Sequence, residues 1–289
     1  MIQFPDSELV INTDGSIYHL QLRPEEVADT ILTVGDPGRV AQVSKYFDRI
    51  EVKREHREFV THTGWLNNTR ITVLSTGIGT DNIDIVLNEL DALVNIDFKT
   101  RVTKNTHKSL SIIRIGTSGS IYTAAPIGST VASAYAIGLD NLMHFYEHKN
   151  HLDEVGLLQQ FRHTLAEHLP VEPYVAAGNK DLLQKIPLDH QGITLTAPGF
   201  YAPQGRQLRG VTKFNRDAIL ALSDFQYEKM HLLNFEMETA GIYGLANLLG
   251  HRALSCSVIL ANRTSGEFSK NPAEEVEKLI MKVLEQVSH

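Results

Sequence analysis

The 289-residue sequence contains one cysteine, Cys256, and one tryptophan. A single cysteine excludes a disulfide within the chain and a cysteine-rich metal centre. The 13 histidines include one H-x-x-x-H spacing, His144 and His148, but no H-E-x-x-H, so the zinc-protease motif is missing as well. We therefore expect no resident metal of these kinds and a protein that works in a reducing compartment, the cytoplasm.

Long apolar runs and an excess of positive charge are also lacking. No apolar stretch approaches the roughly 18 residues that a membrane-spanning helix requires, and the first residues, MIQFPDSE, do not have the pattern of a secretory signal. The formal net charge of −7 argues against a broad nucleic-acid surface. These absences predict a soluble intracellular protein that contacts neither membrane nor nucleic acid, and whose anion sites are local.

The two common glycine motifs for nucleotides are absent. Residues 77–82, GIGTDN, begin like a dinucleotide fingerprint, but Asn82 stands where the third glycine is required. No G-x-x-x-x-G-K-[ST] sequence occurs either. The sequence therefore disfavours a dehydrogenase and a nucleoside triphosphatase, and it predicts no organic cofactor.

What the sequence does contain is a series of short β-branched runs with helical patterns between them, which predicts an α/β layer fold. No repeat or linker interrupts it, so we expect one domain over 1–289. Residues 97–109 are polar and basic and predict an inserted loop. The predicted strands are 31–34, 71–74, 111–115, 129–134, 193–197 and 254–261.

Three helices are predicted from periodicity and end signals. Apolar residues recur at three- and four-residue steps from Asn82 onward. A helix from about 236 to 249 should stop at Gly250. At the C-terminus, Asn271 as N-cap, Pro272 at the first position and Glu274 as capping-box acid predict the start of another helix.

Residues 111–120, SIIRIGTSGS, combine an apolar run with a cation and small hydroxyl residues. Arg114 interrupts the run, which then breaks into Gly116-Thr117-Ser118-Gly119. A guanidinium beside a turn that offers backbone N–H groups and hydroxyls suits a phosphate-sized anion. The alternative is a strand that ends in a turn, with Arg114 in a salt bridge. The segment by itself does not decide between them.

Two further segments place polar side chains among apolar ones. Glu236 and Glu238 lie where a buried helical segment is predicted to begin, and they are either partners for sugar hydroxyls or a first-turn pair that complements the helix dipole. Phe200, Gln204 and Arg206 could stack on a planar heterocycle and read its edge, or form a surface loop with one anchored aromatic.

Taken together and in order, these segments resemble the nucleoside phosphorylase superfamily and, in detail, its uridine phosphorylases. Any one match is weak, but together they extend over most of the chain. The resemblance implies a single-domain, three-layer fold with a mixed central sheet flanked by helices. The matching segments are VGDPGR (34–39), HREF (56–59), STGIG (75–79), IRIGTSG (113–119), 200–206, NFEMETA (234–240) and VILANRT (258–264).

The resemblance also implies roles for individual residues. The implied phosphate-binding residues are Gly35, Arg39, Arg114, Thr117 and, from a neighbouring subunit, Arg57. The implied ribose-binding residues are Glu238, Met237, Thr117 and, from across a dimer, His19. The implied base-binding residues are Phe200, Gln204, Arg206 and Arg263. The implied catalytic residues are Arg114, Gln204, Arg206 and Glu238.

Some positions modify this expectation. Asn262 stands where purine-specific relatives place an aspartate, which favours uracil over a purine. Asp81 and Asn82 replace the usual Pro-Ser pair, and a carboxylate there would repel phosphate unless it points away. Glu58 matches a position near a monovalent-cation site in some relatives. The resemblance further implies a homo-oligomer built from dimers, often a hexamer.

The function implied is phosphorolysis of uridine to uracil and ribose-1-phosphate, with phosphate as co-substrate. The alternatives are a purine nucleoside phosphorylase, a hydrolytic nucleosidase of the same fold, and a non-catalytic nucleoside-binding protein. Arginines at positions 39, 57 and 114 oppose the nucleosidase, because water needs no such cage. Their presence together with His19 and Glu238 opposes the binding protein.

Overall fold

The computed structural model describes residues 3–165, 169 and 171–288, without the side chain of Arg216. The strands are β1 (Thr30–Val34), β2 (Arg49–His56), β3 (Phe59–Leu66), β4 (Thr69–Ser75), β5 (Ile96–Asp97), β6 (Val102–Thr103), β7 (Ser111–Ser120), β8 (Thr130–Gly138), β9 (Tyr174–Ala177), β10 (His190–Thr196), β11 (Gln226–Tyr227), β12 (Met230–Glu236), β13 (Arg252–Asn262) and β14 (Glu267–Phe268). The helices are α1 (Pro37–Ser44), α2 (Thr80–Asn95), α3 (Leu152–Leu165), α4 (Lys180–Lys185), α5 (Arg216–Ser223), α6 (Thr239–Leu248) and α7 (Pro272–Val287). Short 3-10 turns lie at Pro24–Glu26, Leu142–Phe145 and Ala202–Gln204.

The main sheet is mixed, in the order β11-β12-β10-β8-β13-β7-β1-β4-β3-β2. β7 pairs in parallel with β1 and β13, whereas β13 pairs antiparallel with β8. β12 also pairs antiparallel with β7, so the strands β7, β13, β8, β10 and β12 close into a ring. The predicted mixed sheet is confirmed, and its closure is a feature that the sequence pattern did not indicate.

Helices cover both faces of this sheet. Ile112 and Ile113 are neighbours in β7 and therefore point to opposite faces. Ile112 packs in one core cluster with Leu87 of α2 and Leu245 of α6, and Ile113 packs in another with Leu279 of α7. This arrangement confirms the predicted α/β architecture. None of the helices in the described residues is long and apolar enough to cross a membrane.

The segment that follows Arg114 departs from the sequence prediction. Residues 116–120 continue β7 rather than forming a turn, because they pair with β13 through Gly116–Ser257, Thr117–Val258 and Ser118–Ile259. Gly119 also pairs with β12. The expectation of a turn with free N–H groups for an anion was therefore wrong.

Two helix N-termini also differ from prediction, the first in its position and the second in its capping. α6 begins at Thr239, with Glu236 at the end of β12 and Glu238 as N-cap. α7 begins at Pro272 as predicted, but Asn271 makes no side-chain capping bond. Instead Glu274 pairs with Lys278 one turn later, at 2.7 Å. The predicted capping box was wrong because the Asn271 N–H, which Glu274 would accept in such a box, donates to Ser269 Oγ at 3.0 Å.

The predicted inserted loop, 97–109, is partly ordered as a hairpin in which β5 pairs with β6. Arg101, within it, donates from Nε to the carbonyl of Phe4 at 2.8 Å and also reaches the carbonyls of Pro5 and Leu9. The insertion therefore fixes the N-terminal segment against the end of α2.

Tyr243 of α6 ties together two strands of the closed ring. Its hydroxyl donates to the Ser133 carbonyl of β8 and accepts the Ser255 N–H of β13, both at 2.7 Å. Cys256 and Ala132 form the last direct pair between these strands, and Ser255 and Ser133 would be the next. The hydroxyl thus replaces a ladder bond where the strands diverge.

Replacing Tyr243 by phenylalanine should leave the Ser255 N–H buried without a partner. We expect the free energy of unfolding to fall by about 1–3 kcal/mol, measured by urea denaturation. Tyr201→Phe, at a side chain that is 54 % exposed, is the matched control and should change it by less than about 0.5 kcal/mol. Equal effects of the two substitutions would contradict the proposed role of the hydroxyl.

Candidate active site

A cavity of about 760 Å³ lies where several strands end. β1, β4 and β7 are parallel, so the turns that follow them meet at one edge of the sheet. β12 runs antiparallel along β7 and brings residues 236–238 to the same place. The lining comprises Gly35, Asp36, Pro37, Arg39, Glu58, Gly77, Ile78, Asn82, Arg114, Thr117, Ser118, Gly119, Phe200, Gln204, Phe235, Glu236, Met237, Glu238, Leu260, Ala261 and Phe268.

Arg114 is buried at this cavity and is held by groups from three elements. Its Nη2 lies 2.5 Å from Glu238 Oε2 and 3.4 Å from Glu236 Oε2, and its Nη1 donates to Ser257 Oγ at 3.3 Å. Burial by itself would lower the pKa of Arg114, but the two carboxylates outweigh it and raise that pKa. The cation is therefore permanent. Arg114 is in a salt bridge, as the second interpretation predicted, and it also lines the cavity; an anion bound there stays a prediction.

The two neighbouring carboxylates have different surroundings. Glu236 accepts the Thr196 hydroxyl at 2.5 Å and the N–H groups of Glu238 and Thr239 at 2.9 Å, so it stabilises the start of α6. Glu238 accepts the Gly79 N–H at 2.9 Å in addition to Arg114. Burial raises the pKa of Glu238 and the charge of Arg114 opposes that rise. Both carboxylates line the cavity, and Glu238 differs from Glu236 in that its partners are a cation and a single N–H group.

A second cation, Arg39 of α1, lines the cavity beside Arg114. Its Nη1 donates to the Ile115 carbonyl at 3.5 Å. Burial, and then the charge of Arg114, lower the pKa of Arg39 below its ordinary value. Two arginines that repel each other across a cavity are stabilised by an anion between them. Gly35 and Thr117 line the same end.

The first turn of α2 contains Asp81, whose carboxylate would repel phosphate if it pointed into the cavity. Asp81 is exposed and is not among the lining residues. Its Oδ1 lies 2.7 Å from the point where a Cβ on Gly79 would stand, and Gly79 has a φ of +98°. Asn82, an uncharged amide, lines the cavity instead. The carboxylate therefore points away from the arginines.

The loop after β10 supplies a cluster of planar groups. Gln204 is buried and lines the cavity, and its Oε1 accepts from Arg206 Nη1 at 2.5 Å. The Arg206 guanidinium lies over the Phe200 ring, with Cζ 3.8 Å from the centroid. Arg263 donates to the Gln204 carbonyl at 2.9 Å. Burial, and then the charge of Arg263, lower the pKa of Arg206 to about 10, so it stays cationic at neutral pH.

Four predicted site residues, all within the described part of the chain, do not line the cavity: His19, Arg57, Arg206 and Arg263. Arg206 and Arg263 lie behind Gln204. Arg57 is exposed in the turn between β2 and β3, with a φ of +55°. His19 is half-buried, and its Nδ1 lies 2.6 Å from Glu89 Oε1.

Sequence reasoning missed several lining residues. Ser118 lies on the same face of β7 as Arg114 and would have been found had 116–120 been predicted as strand. Its buried hydroxyl has no partner among the described residues. Phe268 had no sequence signal, because only the pairing of β14 with β13 brings it to the cavity. Asn262 is not one of the residues that line this cavity, and its Oδ1 accepts from Thr264 N–H at 2.9 Å.

One cluster of metal-ligating types lies away from the cavity. Asp91, His107 and His251 bring one ligand atom each within 4.8 Å of one another. The Leu110 N–H donates to His251 Nδ1 at 3.2 Å, which leaves the ring proton on Nε2, the nitrogen that faces Asp91. A protonated Nε2 is not available as a metal ligand, and it makes no hydrogen bond within the described part of the chain, although Asp91 Oδ1 lies 3.3 Å away.

The chain is similar to proteins of known activity over nearly its whole length. It is 31 % identical to a uridine phosphorylase of Thermococcus kodakarensis over 94 % of this chain and 87 % of that protein. It is 26 % identical to a uridine phosphorylase of Haemophilus influenzae, over 88 % of this chain and 89 % of that protein.

A solved structure and a family pattern agree with these similarities. The structure of a Trypanosoma brucei nucleoside phosphorylase, described as showing uridine phosphorylase activity, superposes with a TM-score of 0.87 at 28 % identity, covering 96 % of this chain and 99 % of that one. The sequence pattern that defines the phosphorylase superfamily matches residues 29–288. The chain therefore belongs to the phosphorylase superfamily.

Proposed function

We propose that this protein catalyses the reversible phosphorolysis of uridine to uracil and ribose-1-phosphate. The observation that carries the proposal is the buried Arg114–Glu238 pair, which lies between Arg39 and the Gln204 loop in one cavity. The named activity of the relatives supports the same reaction. Phosphate is the co-substrate and no organic cofactor takes part.

The phosphate end of the cavity consists of Arg39, Arg114, Gly35 and Thr117. Two guanidinium groups neutralise most of the phosphate charge and orient one oxygen toward C1′ of the ribose. That oxygen forms the new bond to C1′ as the bond from C1′ to N1 of uracil breaks. The sugar passes through an oxocarbenium-like state, so the reaction needs no protein nucleophile.

The ribose lies against Glu238 and Met237, with Thr117 between the sugar and the phosphate. The Glu238 carboxylate accepts from the 2′- and 3′-hydroxyls while Arg114 and the Gly79 N–H keep it in place. Because the carboxylate is buried, each of these hydrogen bonds is strong and fixes the sugar relative to the phosphate.

The uracil lies at the Gln204 loop, where negative charge develops as the glycosidic bond breaks. Arg206 is the cation nearest to Gln204, and Arg263 holds the backbone of that loop. Phe200 supplies a ring face against the base. These groups stabilise the uracil anion, which then takes a proton from solvent.

We prefer uridine to a purine nucleoside as the substrate because of Asn262. A purine leaving group needs protonation by an acid. The Asn262 side chain is an amide, and its Oδ1 accepts from the N–H of Thr264 and, at 2.6 Å, from the Thr264 hydroxyl. The nucleosidase alternative is disfavoured by Arg39 and Arg114, because an attacking water does not need a pair of cations.

We also propose a cytoplasmic homo-oligomer assembled from dimers into a hexamer, with 1–289 as one domain. His19 and Arg57 lie outside the cavity of their own chain, so in a dimer they would complete the cavity of the second copy, at the ribose 5′-hydroxyl and the phosphate. A monovalent-cation site near Glu58 stays a prediction from the sequence.

The first test is the phosphate dependence of uracil release. Purified protein incubated with uridine should release uracil with phosphate and release less than about a hundredth as much without it, since the cations hold the attacking group. Uracil release can be followed by chromatography. Release at equal rates in both conditions would instead identify a nucleosidase, and no release from any nucleoside would identify a binding protein.

The second test is Arg206→Ala. Loss of the cation beside Gln204 should lower kcat/KM for uridine by about 100-fold or more, with an unchanged melting temperature. Arg209→Ala, at an exposed position of the same loop, is the matched control and should retain wild-type kinetics. Wild-type activity of the Arg206 variant would remove this residue from the mechanism.

The third test is discrimination against cytidine. Cytosine carries an amino group where uracil has a carbonyl. Because Gln204 Oε1 accepts from Arg206, the Gln204 side chain offers its amide N–H donors to the base, so one pair of donors would face each other. We expect kcat/KM for cytidine to be at least about 1,000-fold below that for uridine. The ratio of kcat/KM for uridine to kcat/KM for cytidine should become smaller in Arg206→Ala. An unchanged ratio in that variant would contradict a role of Arg206 in base recognition.

A further inference from the structure

We propose that Gly116 and Ser257 act together to position Arg114 for phosphate binding, an inference that rests on the proposed phosphorolysis. The two residues are register partners in the neighbouring parallel strands β7 and β13. Both lie against the Arg114 guanidinium, one by leaving space for it and the other by accepting a hydrogen bond from it.

Gly116 provides the space. A Cβ at this position would lie 1.7 Å from Arg114 Nη1 and 2.5 Å from Cζ. The side chain of Arg114 therefore folds back along its own strand, over the residue two positions later. Gly116 does not have a positive φ, so the backbone itself tolerates any residue, and only the guanidinium requires glycine here.

Ser257 provides the fixed acceptor. It is fully buried, and its Oγ accepts from Arg114 Nη1 at 3.3 Å, while Nη2 contacts Glu238. The two ends of the guanidinium are thus held by different groups. Because the hydroxyl is neutral, it orients Nη1 without cancelling more of the positive charge, which remains available to an anion in the cavity.

The consequence is that the position of Arg114 depends on these two strand positions. If the guanidinium could not lie over Gly116, it would leave both Ser257 and Glu238. The phosphate would lose one of its two cations from this chain, and the Glu238 carboxylate would lose the partner that fixes it for the ribose. Gly116 and Ser257 are therefore positioning residues that act through Arg114.

The test is the steady-state kinetics of Gly116→Ala. We expect kcat/KM for phosphate to fall by about 100-fold, mainly through a raised KM for phosphate. Gly210→Ala is the matched control, because Gly210 is exposed and a Cβ there would meet nothing within 4 Å. Wild-type kinetics with phosphate in Gly116→Ala would overturn the inference.

A double-mutant cycle with Arg114→Lys separates positioning from general damage. A lysine has no Nη1 to collide with the new methyl group, so Gly116→Ala should cost less than about 5-fold in that background. An equal cost in both backgrounds would show that Gly116 does not act through Arg114 and would overturn the inference.

Ser257→Ala covers the case in which Gly116→Ala fails to fold. Loss of this hydrogen bond should raise KM for phosphate by about 3- to 10-fold, in a protein that still folds although with a lower melting temperature. An unchanged KM for phosphate would overturn the inference. The failure of the proposed function is a different result: wild-type protein that releases no uracil in response to phosphate.

Discussion

The contact on which the site depends is the buried ion pair of Arg114 and Glu238. A cation and a carboxylate that are both removed from water would each be strongly unfavourable alone. Their short contact, together with the Ser257 hydroxyl and the Gly79 N–H, compensates for that cost. Each charge thereby keeps the other in place, and the pair joins the end of the cavity that we propose for phosphate to the end that we propose for ribose.

The ion pair forms because the sheet closes on itself. β12 crosses to pair antiparallel with the end of β7, through Phe235 and Gly119. Continuing in that direction, the chain carries Glu238 back toward Arg114. Tyr243 supports the same closure on the other side of the ring, where β8 and β13 diverge. The closure of the sheet therefore determines both the strand arrangement at the site and the ion pair that forms there.

Prediction from sequence succeeded where a local pattern has a local cause. The apolar stripe after Asn82 forms α2, as predicted. The helix α6 ends just before Gly250, which has a φ of +75°, also as predicted. Prediction from sequence failed where pairing with another strand determined the local conformation. Gly116 to Gly119 have the composition of a turn, but hydrogen bonds to β13 and β12 hold them as strand. The capping box predicted at Glu274 did not form because the Asn271 N–H donates to Ser269 Oγ instead.

The sequence by itself determined which chemical groups this protein has available: the arginines at 39 and 114, the carboxylate at 238, and the Gln204 loop that follows a predicted strand. It also determined the α/β class, because hydrophobic periodicity is a local property. Only the tertiary structure decided that Glu236 accepts the N–H groups at the start of α6 while Glu238 contacts Arg114, that Asp81 lies outside the cavity, and that Gly116 must be a glycine. These outcomes depend on distances between residues far apart in the chain, and such distances are set by strand pairing and packing rather than by local sequence.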